Sequence, residues 1–205
     1  MPKLKLSYFD FNGGRGEVAR LAMSLGGVAF EDHRIPLADW PTVRDETPFR
    51  AVPVLEVDGE VITQSNAINR YVGKLARLYP DDDLEAVRCD EVMDAVEDVI
   101  TRVVATFDIE DAAELKAARD ALVEGPISLY LVRLQDILRE RGGQYFADAR
   151  LTVADLKIYV WIRSLRAGIL DHVPVDLTDR LAPDLVEHCE RVAKHPGVVA
   201  YYDTH

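Results

Sequence analysis

The stretch Val54-Leu55-Glu56-Val57-Asp58-Gly59-Glu60-Val61-Ile62-Thr63 narrows the folds open to this chain more than any other. Two short apolar runs flank Asp-Gly, a two-residue turn signal that works because the turn wants positive φ. They predict an antiparallel hairpin. Upstream, Leu4-Lys5-Leu6-Ser7-Tyr8 alternates with period two and predicts a strand. Asn12-Gly13-Gly14 predicts a turn. From Arg15, the residues Val18, Leu21, Ala22 and Leu25 recur at helical spacing until Gly26-Gly27. Phe30 to Ile35 predicts a second strand. Residues 37–50, broken by Pro41 and Pro48, predict irregular chain with one short helix. After the hairpin, Ser65 offers an N-cap, and Ala67, Ile68, Tyr71, Val72 and Leu75 form a helical stripe.

The order is strand, crossover helix, strand, short helix, hairpin, closing helix. This is the order of a thioredoxin-like α/β domain with a mixed four-stranded sheet, assigned to residues 1–79. Tyr79-Pro80-Asp81-Asp82-Asp83 marks its end. Residues 84–205 predict an all-helical domain. Residues 85–107 and 115–141 are long periodic segments, and Gly125-Pro126 interrupts the second before Gly142-Gly143 ends it. Thr152 and Asp155 predict a capping box opening a further helix, with Leu151 stapled onto Leu156. Pro183 to Lys194 predicts a shorter helix, halted at His195-Pro196-Gly197.

Composition closes off several classes of function. The net charge is −12, and all of it lies beyond residue 80, since residues 1–80 hold ten basic and ten acidic side chains. Nucleic acid is an improbable partner, because phosphate binding needs clustered Lys and Arg. No run nears the ~18 apolar residues of a membrane helix, and Asp10 and Asn12 break any signal-peptide core. A cytoplasmic location is therefore expected. Cys89 and Cys189 are the only cysteines. They form no disulfide framework, no CxxC centre and no four-cysteine zinc site, and read as small buried residues. With no Cys among residues 1–80, thiol-disulfide exchange is disfavoured. His33, His172, His188, His195 and His205 show no metal-ligand spacing and read as structural or exposed. No metal is expected.

Taken together, several motifs resemble the cytosolic glutathione transferases. They are a Tyr ending the first strand, Arg15-Gly16-Glu17 opening the first helix, Val52-Pro53 before the hairpin, and Gln64-Ser65 opening a helix. An all-helical second domain completes the set. Glu31-Asp32-His33-Arg34-Ile35, Ala38-Asp39-Trp40-Pro41 and Leu55-Glu56-Val57-Asp58-Gly59 resemble the sigma class, which includes the haematopoietic type of prostaglandin D synthase. The resemblance implies a glutathione transferase fold, a homodimer, glutathione as co-substrate and a small hydrophobic electrophile as second substrate.

It also implies roles. Tyr8 would donate its hydroxyl to the glutathione sulfur and favour the thiolate. A free thiol titrates near pH 8.5, and lowering that pKa by about two units takes about 2.7 kcal/mol. One charge-assisted hydrogen bond supplies about 1.5–3 kcal/mol. Arg15 would add positive field; the turn Phe11-Asn12-Gly13-Gly14 is one residue longer than in relatives, which leaves its placement open. Gln64 and Ser65 would take the γ-glutamyl carboxylate at a helix N-terminus. Val52, before a cis Pro53, would pair with the cysteinyl backbone. Trp40 and Arg44 match positions contacting the glycyl end, while Arg50-Ala51 replaces a Gly-Lys pair and loses a lysine contact. Asp98 would reach across the dimer to the ligand's amino group. Asp94, Glu97 and Asp98 share one helix face, and their other readings are a solvated acidic face or a weak divalent-cation site.

By position, the electrophile pocket draws on Phe9, Phe11, Gly14, Ile100, Ala105, Lys157 and Trp161. Prostaglandin-isomerising relatives carry Trp and Tyr where this chain has Ala105 and Lys157, so prostaglandin synthesis is a poor match. Lys157 would attract an anionic electrophile or sit as a helix-surface cation. Two alternatives to the transferase stay open: a glutathione-dependent isomerase, and a non-catalytic ligand-binding protein on the same fold.

Overall fold

The computed structural model describes residues 2–204. In chain order the elements are β1 (Leu4–Phe9), α1 (Gly14–Leu25), β2 (Glu31–Ile35), α2 (Trp40–Val43), β3 (Val54–Val57), β4 (Glu60–Thr63) and α3 (Ser65–Leu75). There follow α4 (Asp83–Val104), α5 (Ala112–Leu122), α6 (Ser128–Glu140), α7 (Val153–Arg166), α8 (Leu177–Leu181), α9 (Pro183–Ala193) and α10 (Pro196–Thr204). They divide into two compact units, residues 1–80 with 195–205, and residues 81–194. His205 lies outside the described residues.

In the first unit the strands run in the order β2-β1-β3-β4. β1 and β2 are parallel, whereas β1–β3 and β3–β4 are antiparallel. This is the expected mixed four-stranded sheet. Asp58 and Gly59 both take positive φ (51° and 91°), as the hairpin turn requires. Leu4, Leu6 and Tyr8 of β1 are buried, and Lys5, Ser7 and Phe9 between them are not. Leu6, Leu21, Leu55 and Ile68 are fully enclosed, each contributing about 1.5–3 kcal/mol of burial.

Three features differ from expectation here. The short helix starts at Trp40, before Pro41, because proline is tolerated in a first turn. Ser65 is not the cap of α3. Gln64 occupies the cap position at φ 70°, its carbonyl accepting from the Ile68 N–H at 3.0 Å, and Ser65 is the first helical residue. The third is α10, which begins at Pro196 where the sequence predicts only a stop. It belongs with the first unit, not with the helical region expected over 84–205. Gly197 packs so closely on Leu25 that a Cβ there would lie 2.8 Å from Leu25 Cγ. Tyr201 Oη lies 3.4 Å from Glu17 Oε2.

The second unit is all helix. Asp82 caps α4 through the Leu84 and Glu85 amides, and Asp111 caps α5. Between α5 and α6, residues Val123–Ile127 form a wide turn, with Gly125 at φ −110°, ψ −105° ahead of Pro126. That is the interruption expected at Gly125-Pro126. The Thr152–Asp155 capping box opens α7. Asp155 also accepts from the Phe146 N–H and lies 2.9 Å from His188 Nε2. The short α8 carries no periodicity long enough to predict it. Among the described residues, no helix is long and apolar enough to cross a membrane.

Candidate functional site

The topology gathers one set of side chains at one end of the sheet. The C-terminal ends of β1, β2 and β4 meet there with the N-terminal end of β3. Tyr8 is near the end of β1. The β1–β3 register ends where Ser7 opposes Val54, so Tyr8 and Pro53 both lie beyond that last rung at the same end of the sheet. The Val52–Pro53 bond is cis. Val54 opposes Thr63, which brings Gln64 and Ser65 to the same end.

Tyr8 is the most constrained member. Its side chain is buried, and its Oη accepts a hydrogen bond from the Arg15 backbone N–H at 2.9 Å. That bond occupies an acceptor lone pair and leaves the phenol proton to be donated. Burial pushes the Tyr8 phenol above its ordinary range, and the Arg15 amide with the charges of Arg15 and Arg20 offsets only part of this. Tyr8 therefore stays protonated through the neutral range, as a hydrogen-bond donor must. Space for the ring is made by two glycines. A Cβ on Gly14, which sits at φ +67°, would lie 2.3 Å from Tyr8 Oη, and one on Gly16 would lie 2.3 Å from Tyr8 Cγ.

Aromatic rings surround the phenol. Phe9 and Phe11 stack at 6.0 Å with 15° between their planes, and Trp40 meets Phe9 edge-on at 5.1 Å. Phe11 lies 5.7 Å from the Tyr8 ring and is 39% exposed. Trp40 is thus half-buried against Phe9 rather than a free loop aromatic. Arg15 is the second residue of α1 and half-buried. Gln64 is exposed and Ser65 buried at the start of α3. Arg44 is exposed, its Nε 4.0 Å from Asp45 Oδ1.

The remaining expected residues belong to the second unit. Asp98 is exposed on α4 and accepts from Tyr130 Oη at 3.1 Å. Ile100 is half-buried, and Ala105, just beyond α4, is exposed. Trp161 is buried on α7. Lys157 is not a surface cation: it is 2% exposed, and its Nζ lies 2.6 Å from Glu97 Oε2. Glu97 is therefore a partner for a buried ammonium, not one of a row of solvated acids. Burial pushes the Cys89 thiol up to about 12 and Cys189 to about 11, so both are protonated and poor nucleophiles at neutral pH. No group of three or more metal-binding side chains occurs among the described residues.

Arg20 escaped the sequence reading, and Asp32 and Arg34 entered it only as part of a motif, with no role assigned. Arg20 is fully buried, donates to the carbonyls of Phe9 and Phe11 at 3.1 and 3.0 Å, and lies 5.6 Å over the Tyr8 ring. Its signal was present as the Glu17–Arg20 pair at i, i+3 on a helix otherwise rich in apolar residues.

Comparison with known proteins identifies the family of the chain. Residues 4–74 match the family model for the glutathione S-transferase N-terminal domain, and residues 97–205 the one for the C-terminal domain. The chain is 34% identical to glutathione S-transferase 1 of Ascaris suum, over 97% of this chain and 94% of that one. Among solved structures it is similar to prostaglandin synthase D of Nilaparvata lugens, with 31% identity, a TM-score of 0.87 and 98% of each chain covered. It is also similar to a sigma class enzyme of Fasciola hepatica, with 26% identity, a TM-score of 0.81, and 99% of this chain and 96% of that one covered.

Proposed function

This chain belongs to the glutathione S-transferase family, and on that premise we propose that it joins the thiolate of reduced glutathione to hydrophobic electrophiles, with Tyr8 as the thiolate's hydrogen-bond donor. The observation that carries the reading is the buried Tyr8 hydroxyl, held by the Arg15 amide with its own proton left to give. The sulfur attacks an electrophilic carbon, the leaving group departs with the bonding pair, and no side chain of the protein becomes covalently attached. Tyr8 holds the sulfur anionic before attack, and Arg15 adds positive field at the N-terminus of α1.

Glutathione itself lies along the end of the sheet in this reading. Ser65 and Gln64 receive the γ-glutamyl carboxylate at the N-terminus of α3. The Val52 backbone pairs with the cysteinyl unit, and Trp40 and Arg44 meet the glycyl end. Phe9, Phe11 and Gly14 offer the electrophile an apolar wall. The protein acts in the cytoplasm as a homodimer, with Asp98 reaching glutathione held by the other copy. Exposed Phe49 in the first unit and exposed Leu84, Val87 and Leu129 in the second give apolar surface for that assembly. No step requires a metal.

A second reading has one observation in its favour, the likeness to the prostaglandin synthase D of Nilaparvata lugens. It keeps the same glutathione site and differs in whether the sulfur adduct is released or rearranged. The test is conjugation of glutathione to 1-chloro-2,4-dinitrobenzene by wild type and Tyr8→Phe, from about pH 5.5 to 9. Wild type should turn over with an apparent pKa well below ~8.5, and the variant should lose that low-pH activity. Binding of glutathione by calorimetry without turnover would favour the isomerase. No binding at all would remove both readings.

A further inference from the structure

The loop between β1 and α1 follows Phe9, the last residue of β1, carries Phe11 and ends at the glycine beneath the Tyr8 hydroxyl, with no regular structure of its own. Two arginines grip it from different sides. Arg20 holds its backbone through the carbonyls of Phe9 and Phe11. Arg34 holds its side chains, Nη1 lying 3.1 Å from Asn12 Oδ1 and 3.4 Å from Asp10 Oδ1. One carboxylate ties the two arginines together. Asp32 takes Arg20 Nε on Oδ1 at 2.9 Å and Arg34 Nε on Oδ2 at 2.7 Å. Neighbouring β1 and β2 are parallel, with Leu6 beside Asp32 and Tyr8 beside Arg34, so the clamp stands on the strand next to the phenol.

We propose that Asp32 is a positioning residue for the reaction: by holding Arg20 and Arg34 in one arrangement, it fixes the loop that sets the Tyr8 hydroxyl and the Phe9–Phe11 wall. It touches neither substrate. The inference rests on the transferase reading for its catalytic consequence, but the mechanical part stands on the geometry. A guanidinium has a planar fork of donors, so two of them sharing one carboxylate fix direction as well as distance. Without the carboxylate, Arg20 keeps Glu17, 3.7 Å away, but Arg34 loses the anchor that aims it at Asn12.

The test compares wild type with Asp32→Asn, Asp32→Glu and Asn12→Ala. Asn12→Ala lies on the loop and serves as the check should Asp32→Asn fail to fold. Hydrogen exchange of the peptide spanning residues 9–16 should quicken in Asp32→Asn and Asn12→Ala, with the β3–β4 hairpin unchanged. In the same variants the apparent pKa of bound glutathione, followed by thiolate absorbance, should rise. The rate constant kcat/KM near pH 6.5 should fall by about ten- to a hundredfold, and the loss should shrink toward pH 9. Asp32→Glu should restore part of both effects. A lowered thermal midpoint with unchanged loop exchange and an unchanged pH profile would overturn the proposal, leaving Asp32 a structural tie. If wild type itself neither binds nor conjugates glutathione, the transferase reading falls, and with it the catalytic consequence. The exchange comparison then decides whether the clamp exists.

Discussion

At the scale of single residues, the space around Tyr8 is as informative as its hydrogen bond. Gly16 lies against the Tyr8 side chain so closely that a methyl group would overlap its Cγ, Cδ1 and Cβ, at 2.3, 2.5 and 2.7 Å. Gly16→Ala must therefore push the phenol or bend the start of α1. Overpacking of this kind costs about 1–3 kcal/mol, and the displaced hydroxyl should cost at least about tenfold in kcat/KM. Steady-state kinetics beside a urea titration would separate the two. A variant with full activity would mean that the ring has room the structure denies it. Tyr8, Val52 and Ser65 were legible in sequence because each sits at a strand or helix end where a motif announces it. Arg20 was not. A charged residue inside a helical pattern reads as solvent-facing by default; the Glu17–Arg20 spacing hinted at a pair, but the two carbonyls and the Asp32 carboxylate that also meet Arg20 come from outside the helix.

At the scale of elements, the β-α-β order and the Asp58-Gly59 turn made the sheet readable, since periodicity and turn chemistry act locally. What they could not yield were α8, too short to show a period, and α10, whose proline looks like a stop but serves as a start. The α7 terminus was also legible, and it supports a sharp prediction. The carboxylate of Asp155 serves the Thr152 amide and hydroxyl, the Phe146 amide and the His188 ring, all of them buried. Asp155→Ala leaves those groups without an acceptor, and buried donors so abandoned cost about 1–3 kcal/mol each. The expected loss is about 3–4 kcal/mol in a denaturant titration, allowing for partial relaxation. A loss under about 1 kcal/mol would mean that water replaces the carboxylate at little expense.

At the scale of the whole molecule, protons held in the core govern stability in alkali. Cys89 and Cys189 are pushed up to about 12 and about 11 in the folded chain, against ~8.5 in an unfolded one. Between these values the folded chain keeps protons that the unfolded chain releases. Stability therefore holds below ~8.5 and falls as pH rises through about 8.5 to 11, by up to about 1.4 kcal/mol per pH unit for each thiol. The buried phenol of Tyr201, also raised, acts in the same direction at higher pH. Thermal midpoints across that range should fall for wild type and fall less steeply for Cys89→Ala. Equal slopes would show that the thiol is hydrated. The pairing of α10 with α1 has a consequence of another kind. Glu17 meets Tyr201 across 184 residues of chain. A ribosome adding about 5–20 residues per second has long finished the sheet when that helix is made. For several seconds the nascent first unit exists without its closing helix, Leu25 and Glu17 uncovered, while the whole second unit emerges behind it. What looks in the finished fold like one compact body is, in order of manufacture, a body begun first and completed only after another has been built.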